Sequence, residues 1–263
     1  MEYEKYEEIK NLKNAVFYLT NLCNIRCWHC YNDSSSTEKV PSISSLDKIV
    51  DIILHNFSFK TISISGGEPL TNQSLLFSIA SKFKKNNISL ALMTNGLLLS
   101  ENIMDKICYY FDFIQLSIDY PNDEYAIKYK GVKNYRKSIL NTISLLSKYS
   151  IDCILTHVPN SGNFKINDYF DDLFFSSIKS LKIQLPYPKG RALENKNLII
   201  TKKELQYYQN DLMNISNRYP NLPVSIYFPE DELSDSCSID YNGNVFTGLF
   251  DKNKIGNLLL SFQ

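Results

Sequence analysis

Ala15-Val16-Phe17-Tyr18-Leu19-Thr20-Asn21-Leu22-Cys23-Asn24-Ile25-Arg26-Cys27-Trp28-His29-Cys30 opens the regular part of this 263-residue chain. Residues 15–19 form a short run of β character, and the polar loop leaving it carries three of the six cysteines within eight residues. Outward from this loop the chain alternates. A helix is expected over 43–55, with apolar residues at 43, 46, 49, 50, 53 and 54. Strands at 61–65, 88–93, 113–118, 151–158 and 181–185 then alternate with helices at about 74–85, 102–109, 135–149, 167–175 and 201–219. Thr201 is the expected N-cap of the last helix, with Glu204 as its box partner. Six such units in succession predict an α/β fold, a partial (βα)6 TIM-like barrel on a parallel sheet. After Pro220 the pattern turns to β, with a strand at 224–228 and a hairpin at 238–241 and 245–247 about Asn242-Gly243. The expected organisation is a lead-in over 1–13, the partial barrel over 14–220 and a small C-terminal β-hairpin extension over 221–263.

Composition narrows the function. With 44% hydrophobic and 21% charged residues the chain can bury a substantial core. Lys+Arg and Asp+Glu both number 28, so charge supplies no general reason to expect nucleic acid or an anionic membrane as partner. The charged start, Met1-Glu2-Tyr3-Glu4-Lys5, lacks the apolar region of a secretory signal, and no apolar run approaches ~18 residues. A cytoplasmic protein is expected. In that compartment clustered cysteines argue for thiolate chemistry before disulfides.

Enzymes on such barrels build their sites at the carboxyl ends of the strands. The unusual local features fall at those ends. After the first strand come Cys23, Cys27 and Cys30; after the second, Gly66-Gly67-Glu68-Pro69; after the third, Thr94-Asn95-Gly96; after the fourth, Ser117-Ile118-Asp119. His157 ends the fifth, and Pro188-Lys189-Gly190-Arg191 follows the sixth. Thiolates spaced by three and then two residues can curl around one metal centre. Four-iron, four-sulfur cubanes normally take four cysteines, so three ligands leave one iron open to a small chelating molecule. Structural zinc would need a fourth ligand, for which His29 is strained beside Cys30 and His157 is remote. A group of buried free thiols is the remaining alternative.

The Cys-x3-Cys-x2-Cys loop after a first strand resembles the radical S-adenosylmethionine (SAM) superfamily. Ser65-Gly66-Gly67-Glu68-Pro69-Leu70, about 36 residues beyond the triplet, is similar to that family's Gly-Gly-Glu-Pro motif, whose backbone binds the amino group of the cofactor's methionine. The resemblance covers roughly residues 14 to 192. It implies one 4Fe-4S cluster on Cys23, Cys27 and Cys30, with SAM on the open iron and an electron donor such as flavodoxin or ferredoxin. By the same resemblance His29 lies near the adenine, and Thr94, Asn95, Ser117 and Asp119 belong to the cofactor site. Relatives often place an arginine against the cofactor carboxylate; here Lys128 and Lys130 stand in that region, and lysine offers a point charge rather than a fork. Gly190-Arg191-Ala192 is similar to the Gly-Arg-Ala of the peptide-modifying branch. The implied chemistry is reductive cleavage of SAM to a 5′-deoxyadenosyl radical that abstracts a hydrogen atom from substrate.

Cys237 through Phe246 and Ile255-Gly256-Asn257-Leu258 resemble the hairpin of the SPASM or twitch extension, which usually holds auxiliary clusters. Thr247-Gly248 replaces the Pro-Cys pair found there, so no second cluster is expected. Cys108 and Cys153 read as core thiols, and Cys237 is a candidate hydrogen-atom donor near the barrel mouth. The resemblance implies a ribosomal peptide as substrate. With about 13 residues before the first strand no separate leader-binding domain is expected. The alternatives are a sugar or cyclitol dehydrogenase and, in another class, a non-enzymatic iron–sulfur or zinc module.

Overall fold

The expected alternation is realised in the computed structural model, which describes residues 6–119, 123–161, 175, 177–196, 199–228, 236–248 and 253–262. A short helix α1 (Glu7–Lys10) leads into β1 (Asn14–Tyr18). Then follow α2 (Ile43–Asn56), β2 (Thr61–Ser65), a 3-10 turn (Pro69–Asn72), α3 (Gln73–Lys85), β3 (Ser89–Thr94), α4 (Glu101–Tyr110) and β4 (Phe113–Ser117). The second half holds α5 (Asp123–Lys130), α6 (Tyr135–Lys148), β5 (Asp152–His157), β6 (Ser180–Gln184), α7 (Arg191–Glu194) and α8 (Lys202–Arg218). Last come β7 (Val224–Tyr227), β8 (Ser236–Asp240), β9 (Asn244–Thr247), β10 (Asn253–Asn257) and α9 (Leu258–Ser261). The helix expected over 167–175 lies, apart from Phe175, outside the described residues.

One sheet takes the order β10-β9-β8-β1-β2-β3-β4-β5-β6-β7. Strands β1 to β7 pair in parallel, with β7 and β10 as the two edges, so the barrel is partial. The division expected at 220/221 is not a structural break. β7 continues the parallel sheet beside β6, while β8 pairs in parallel with β1 on the other flank and carries the antiparallel β9 and β10. The lead-in also belongs to this body: Tyr6 is fully buried, and its ring meets Phe57 and Phe262 at 6.1 and 5.5 Å.

The strands alternate because their two faces meet different surroundings. Positions toward the helices are apolar and sealed: Ile62, Ile64, Ile114, Leu116, Leu181 and Ile183 are at most 1% exposed. Helix α2 covers this side with Leu46, Ile49, Val50 and Ile53, while Ile43, expected in its apolar stripe, is exposed. The opposite positions, including Ser65, Gln115, Ser117, Lys182 and Gln184, are half-buried and line a partly open cavity of about 170 Å³. A closed eight-stranded barrel fills its interior with branched apolar side chains. Here the inner face mixes apolar with polar side chains and leaves a cavity open.

Thr201 and Glu204 form the expected capping box on α8. Helix α5 was not expected. Among its described side chains the one buried apolar residue is Ala126, so they show no stripe for a periodicity argument to find. An ion pair from its last residue, described below, anchors it instead.

Candidate active site

The cysteine loop is held by backbone before any side chain is considered. Past β1 and β2 the parallel pairing continues: Leu19 N–H donates to Ser65 O at 2.9 Å, Gly67 N–H to Thr20 O at 2.7 Å and Glu68 N–H to Leu22 O at 2.8 Å. The two glycines make this approach possible. A Cβ on Gly66 would lie 2.3 Å from Thr20 O, and one on Gly67 would lie 2.2 Å from Leu22 O. Gly66 also has φ +142°, which L side chains rarely adopt. The sequence suggested that these glycines admit a ligand; the structure shows their bare side turned to the cysteine loop. Gly67→Ala should therefore lower stability by about 1–3 kcal/mol or more, because the contact is with backbone that cannot swing away. A shift of the urea midpoint tests this, and an unchanged midpoint would refute the tight seam.

Glu68 is the second clamp. Its fully buried carboxylate accepts from Asn95 N–H at 2.8 Å, Thr94 Oγ1 at 2.9 Å and Leu70 N–H at 3.1 Å. Burial pushes its pKa up to about 7 against the pull of these donors. Asn95 passes the connection on, its Nδ2 donating to Asn24 Oδ1 at 2.9 Å inside the cysteine loop. Thr94, Asn95 and Glu68 are thus joined to one another, and Pro69 opens the 3-10 turn behind them.

The third clamp comes from the end of β6. Arg191 N–H donates to Cys30 O at 3.0 Å and Arg191 Nε to Cys27 O at 2.8 Å, while its guanidinium pairs with Asp33. A Cβ on Gly190 would lie 2.5 Å from Cys30 O, and its φ is +57°. Arg191, expected at the cofactor, holds the loop that carries the cysteines.

Opposite the loop lies a buried polar knot. Lys130 Nζ sits 2.6 Å from Asp119 Oδ2 and 3.2 Å from Tyr135 Oη, and Asp119 Oδ1 accepts from Val158 N–H at 3.1 Å. Burial alone would raise Asp119, yet the Lys130 ammonium, with His29 and His157 adding to it, holds the carboxyl down at about 2. Burial likewise opposes the charge on Lys130, and Asp119 outweighs it, leaving the ammonium well above its usual pKa. His29 Nε2 lies 3.7 Å from Asp119 Oδ2. Burial pushes that imidazole down to about 4 despite Asp119, so near neutral pH this is an uncharged ring beside a carboxylate.

Residues 17–163, more than half of the chain, match the Radical SAM superfamily. The chain belongs to the radical SAM superfamily. It is 27% identical over 220 residues to an uncharacterized protein of Methanocaldococcus jannaschii, covering 81% of this chain and 74% of that relative. It is 32% identical over 145 residues to AlbA of Bacillus subtilis, a biosynthesis protein of the antilisterial bacteriocin subtilosin, covering 52% of this chain and 31% of AlbA. Its fold matches Streptococcus suis SuiB bound to the precursor peptide SuiA with a TM-score of 0.72 at 15% identity, covering 99% of this chain and 66% of SuiB. The chain therefore covers less than two thirds of the length of AlbA and of SuiB.

Radical SAM membership makes the protein an enzyme and implies a 4Fe-4S cluster and SAM. The donors fit a cluster better than a single zinc. Zinc–sulfur bonds of ~2.3 Å keep donors within about 4.6 Å of one another. The described trio that close, within 4.8 Å, is Cys27 Sγ, a His29 nitrogen and an Asp119 oxygen, not the three thiols. Lys130 already neutralises that Asp119 oxygen. A cubane instead binds each cysteine to a different iron and needs the sulfurs spread apart. Burial pushes Cys23 up to about 11 and Cys27 up to about 12, so loading a metal centre must displace their protons.

Two sequence expectations, on Cys237 and Cys108, are corrected. Cys237 is not at the mouth: it is fully buried on β8, paired in register with Ala15 near the amino end of β1, whereas the cysteine loop leaves the carboxyl end. A thiol sealed there cannot meet a substrate radical. Cys108, expected in the core, is exposed on α4, while Cys153 is buried as expected. Lys130, expected to face a ligand carboxylate, has its ammonium on Asp119. Asn24 and Tyr135 were not anticipated, and neither carried a local signal; Gly190 was, as part of the Gly-Arg-Ala run after the sixth strand.

Proposed function

We propose that this radical SAM enzyme acts on a peptide, with Cys23, Cys27 and Cys30 holding one cluster and the loops after β2, β3 and β4 holding SAM. The observation that carries the site is the seam itself: elements after β2, β3 and β6 all close on the loop bearing the three cysteines. Bound there, the cluster and SAM would supply radical chemistry, the abstraction of a hydrogen atom from substrate. The protein's own part is positional. Glu68, Asn95 and Arg191 fix the loop, the Asp119–Lys130 pair neutralises buried charge beside Cys27, and the half-buried lumen receives the substrate. AlbA and SuiB, the one a bacteriocin biosynthesis protein and the other bound to a precursor peptide, favour a peptide. The lumen agrees in kind: it is partly open and lined by both apolar and hydrogen-bonding side chains, as a pocket for a peptide residue would be.

Anaerobic reconstitution followed by dithionite and SAM should yield about four irons per chain and 5′-deoxyadenosine. Peptides encoded beside the gene, made with deuterated residues, should pass deuterium into that 5′-deoxyadenosine. Label arriving only from sugar or cyclitol substrates would replace the peptide reading. About eight irons would replace the single cluster.

A further inference from the structure

Among the described residues Lys130 is fully buried and Lys182, on β6, is half-buried, and of these two only Lys130 is matched by an acid. Lys130 is matched by Asp119 at 2.6 Å. Lys182, on β6, lines the lumen, and its Nζ lies over the face of Tyr227, a residue outside the cavity lining, at 4.2 Å from the ring centroid. No Asp or Glu lines that cavity among the described residues, and no carboxylate pairs with Lys182. A cation over an aromatic ring recovers only part of what burial of an ammonium forfeits. Burial accordingly pushes the Lys182 ammonium below its usual pKa.

A second group on the same wall is also incomplete. Thr156 is 5% exposed, lines the cavity beside Lys182, and its Oγ1 has no hydrogen-bond partner among the described residues. In register Ser117 pairs with Thr156 and Thr156 with Lys182, so three adjacent strands present a hydroxyl, a hydroxyl and an ammonium to the lumen. With strands about 4.8 Å apart, Lys182 stands two strands, about 10 Å, from Ser117. A carboxylate entering the cavity could accept from Lys182 Nζ with one oxygen and from Thr156 Oγ1 with the other.

We propose that Lys182 and Thr156 form a carboxylate-binding site in the lumen, which selects substrates bearing an acidic side chain. The peptide reading above supplies the source of that side chain, while the site stands on the lumen residues alone. Lys182 is then a specificity-determining residue.

The test uses the full chain, with and without reconstitution, and reads binding rather than turnover. Saturation-transfer NMR would titrate N-acetyl-aspartate N-methylamide and its glutamate homologue, with N-acetyl-asparagine N-methylamide, acetate and inorganic phosphate as comparisons. An acidic amino-acid probe should bind about tenfold or more tighter than the asparagine isostere, and Lys182→Met should abolish the difference while Lys182→Arg keeps most of it. Equal binding of acid and amide would overturn the proposal, as would acid binding unchanged in Lys182→Met. Tighter binding of phosphate than of either amino acid would overturn the carboxylate class, and acetate binding as tightly as the amino-acid probes would overturn the side-chain source. Should Lys182→Met lose its circular dichroism spectrum, the acid-to-amide ratio on the unaltered chain still decides. Because no SAM cleavage is read, failure here is separable from failure of the cluster assignment.

Discussion

In a Cys27→Ala chain, iron bound on anaerobic reconstitution should fall to background and 5′-deoxyadenosine should disappear, with the circular dichroism spectrum unchanged. The loss follows from the ligand count. A cubane held by three thiolates has one open iron, and removing a ligand leaves two points of attachment. The fold should survive because the loop is held at this position through backbone. Arg191 donates to the Cys27 carbonyl, which alanine keeps, and Arg191 N–H holds the Cys30 carbonyl. Cys108→Ala is the matched control: that thiol is exposed on α4 and its removal should alter neither iron nor product. Iron and product at the unaltered level in Cys27→Ala would show that the cluster sits elsewhere.

Asp119→Asn should destabilise the metal-free chain by about 3–5 kcal/mol, since it leaves the Lys130 ammonium buried without its counter-charge. The substitution changes shape little. An asparagine that keeps accepting from Val158 N–H through Oδ1 turns its amide donor toward Lys130, and one that is flipped offers Lys130 an uncharged oxygen but loses the Val158 bond. Adding Lys130→Met should restore part of the loss, because removing both charges is far milder than stranding one. Urea unfolding of the four chains closes the cycle, and simple additivity would refute the coupling. The pH dependence has a definite sign. Asp119 is depressed to about 2 in the folded chain from the ordinary carboxylate value near 4, so its contribution is present above about pH 4 and fades as pH falls toward 2. The difference between the unaltered chain and Asp119→Asn should shrink across that window.

How much was legible depended on how local the information was. The cysteine spacing, the Gly-Gly-Glu-Pro run, the Thr201–Glu204 box and the Asn242-Gly243 turn each lie within a few consecutive residues, so short-range sterics and hydrogen bonding specify them. The period-2 strands were legible for the same reason. What their polar face was for was not, because alternation alone does not distinguish a solvent-facing side from a lumen. Helix α5 was missed because its anchor, Lys130 on Asp119, is a tertiary contact with no echo in its own periodicity.

By itself the sequence determined the strand–helix order, the soft-donor set and its place after the first strand, since these follow from contiguous patterns and the chemistry of the side chains. Only the tertiary structure decided which residues meet. Arg191 reaches the Cys27 carbonyl across 164 residues, Cys237 goes to the amino end of the sheet through the pairing of β8 with β1, and Lys182 comes to stand beside Thr156 with no acid on it among the described residues. Strand order and register set those distances. A one-residue slip in register would turn Cys237, Thr156 and Lys182 to the other face, so no local pattern encodes their placement.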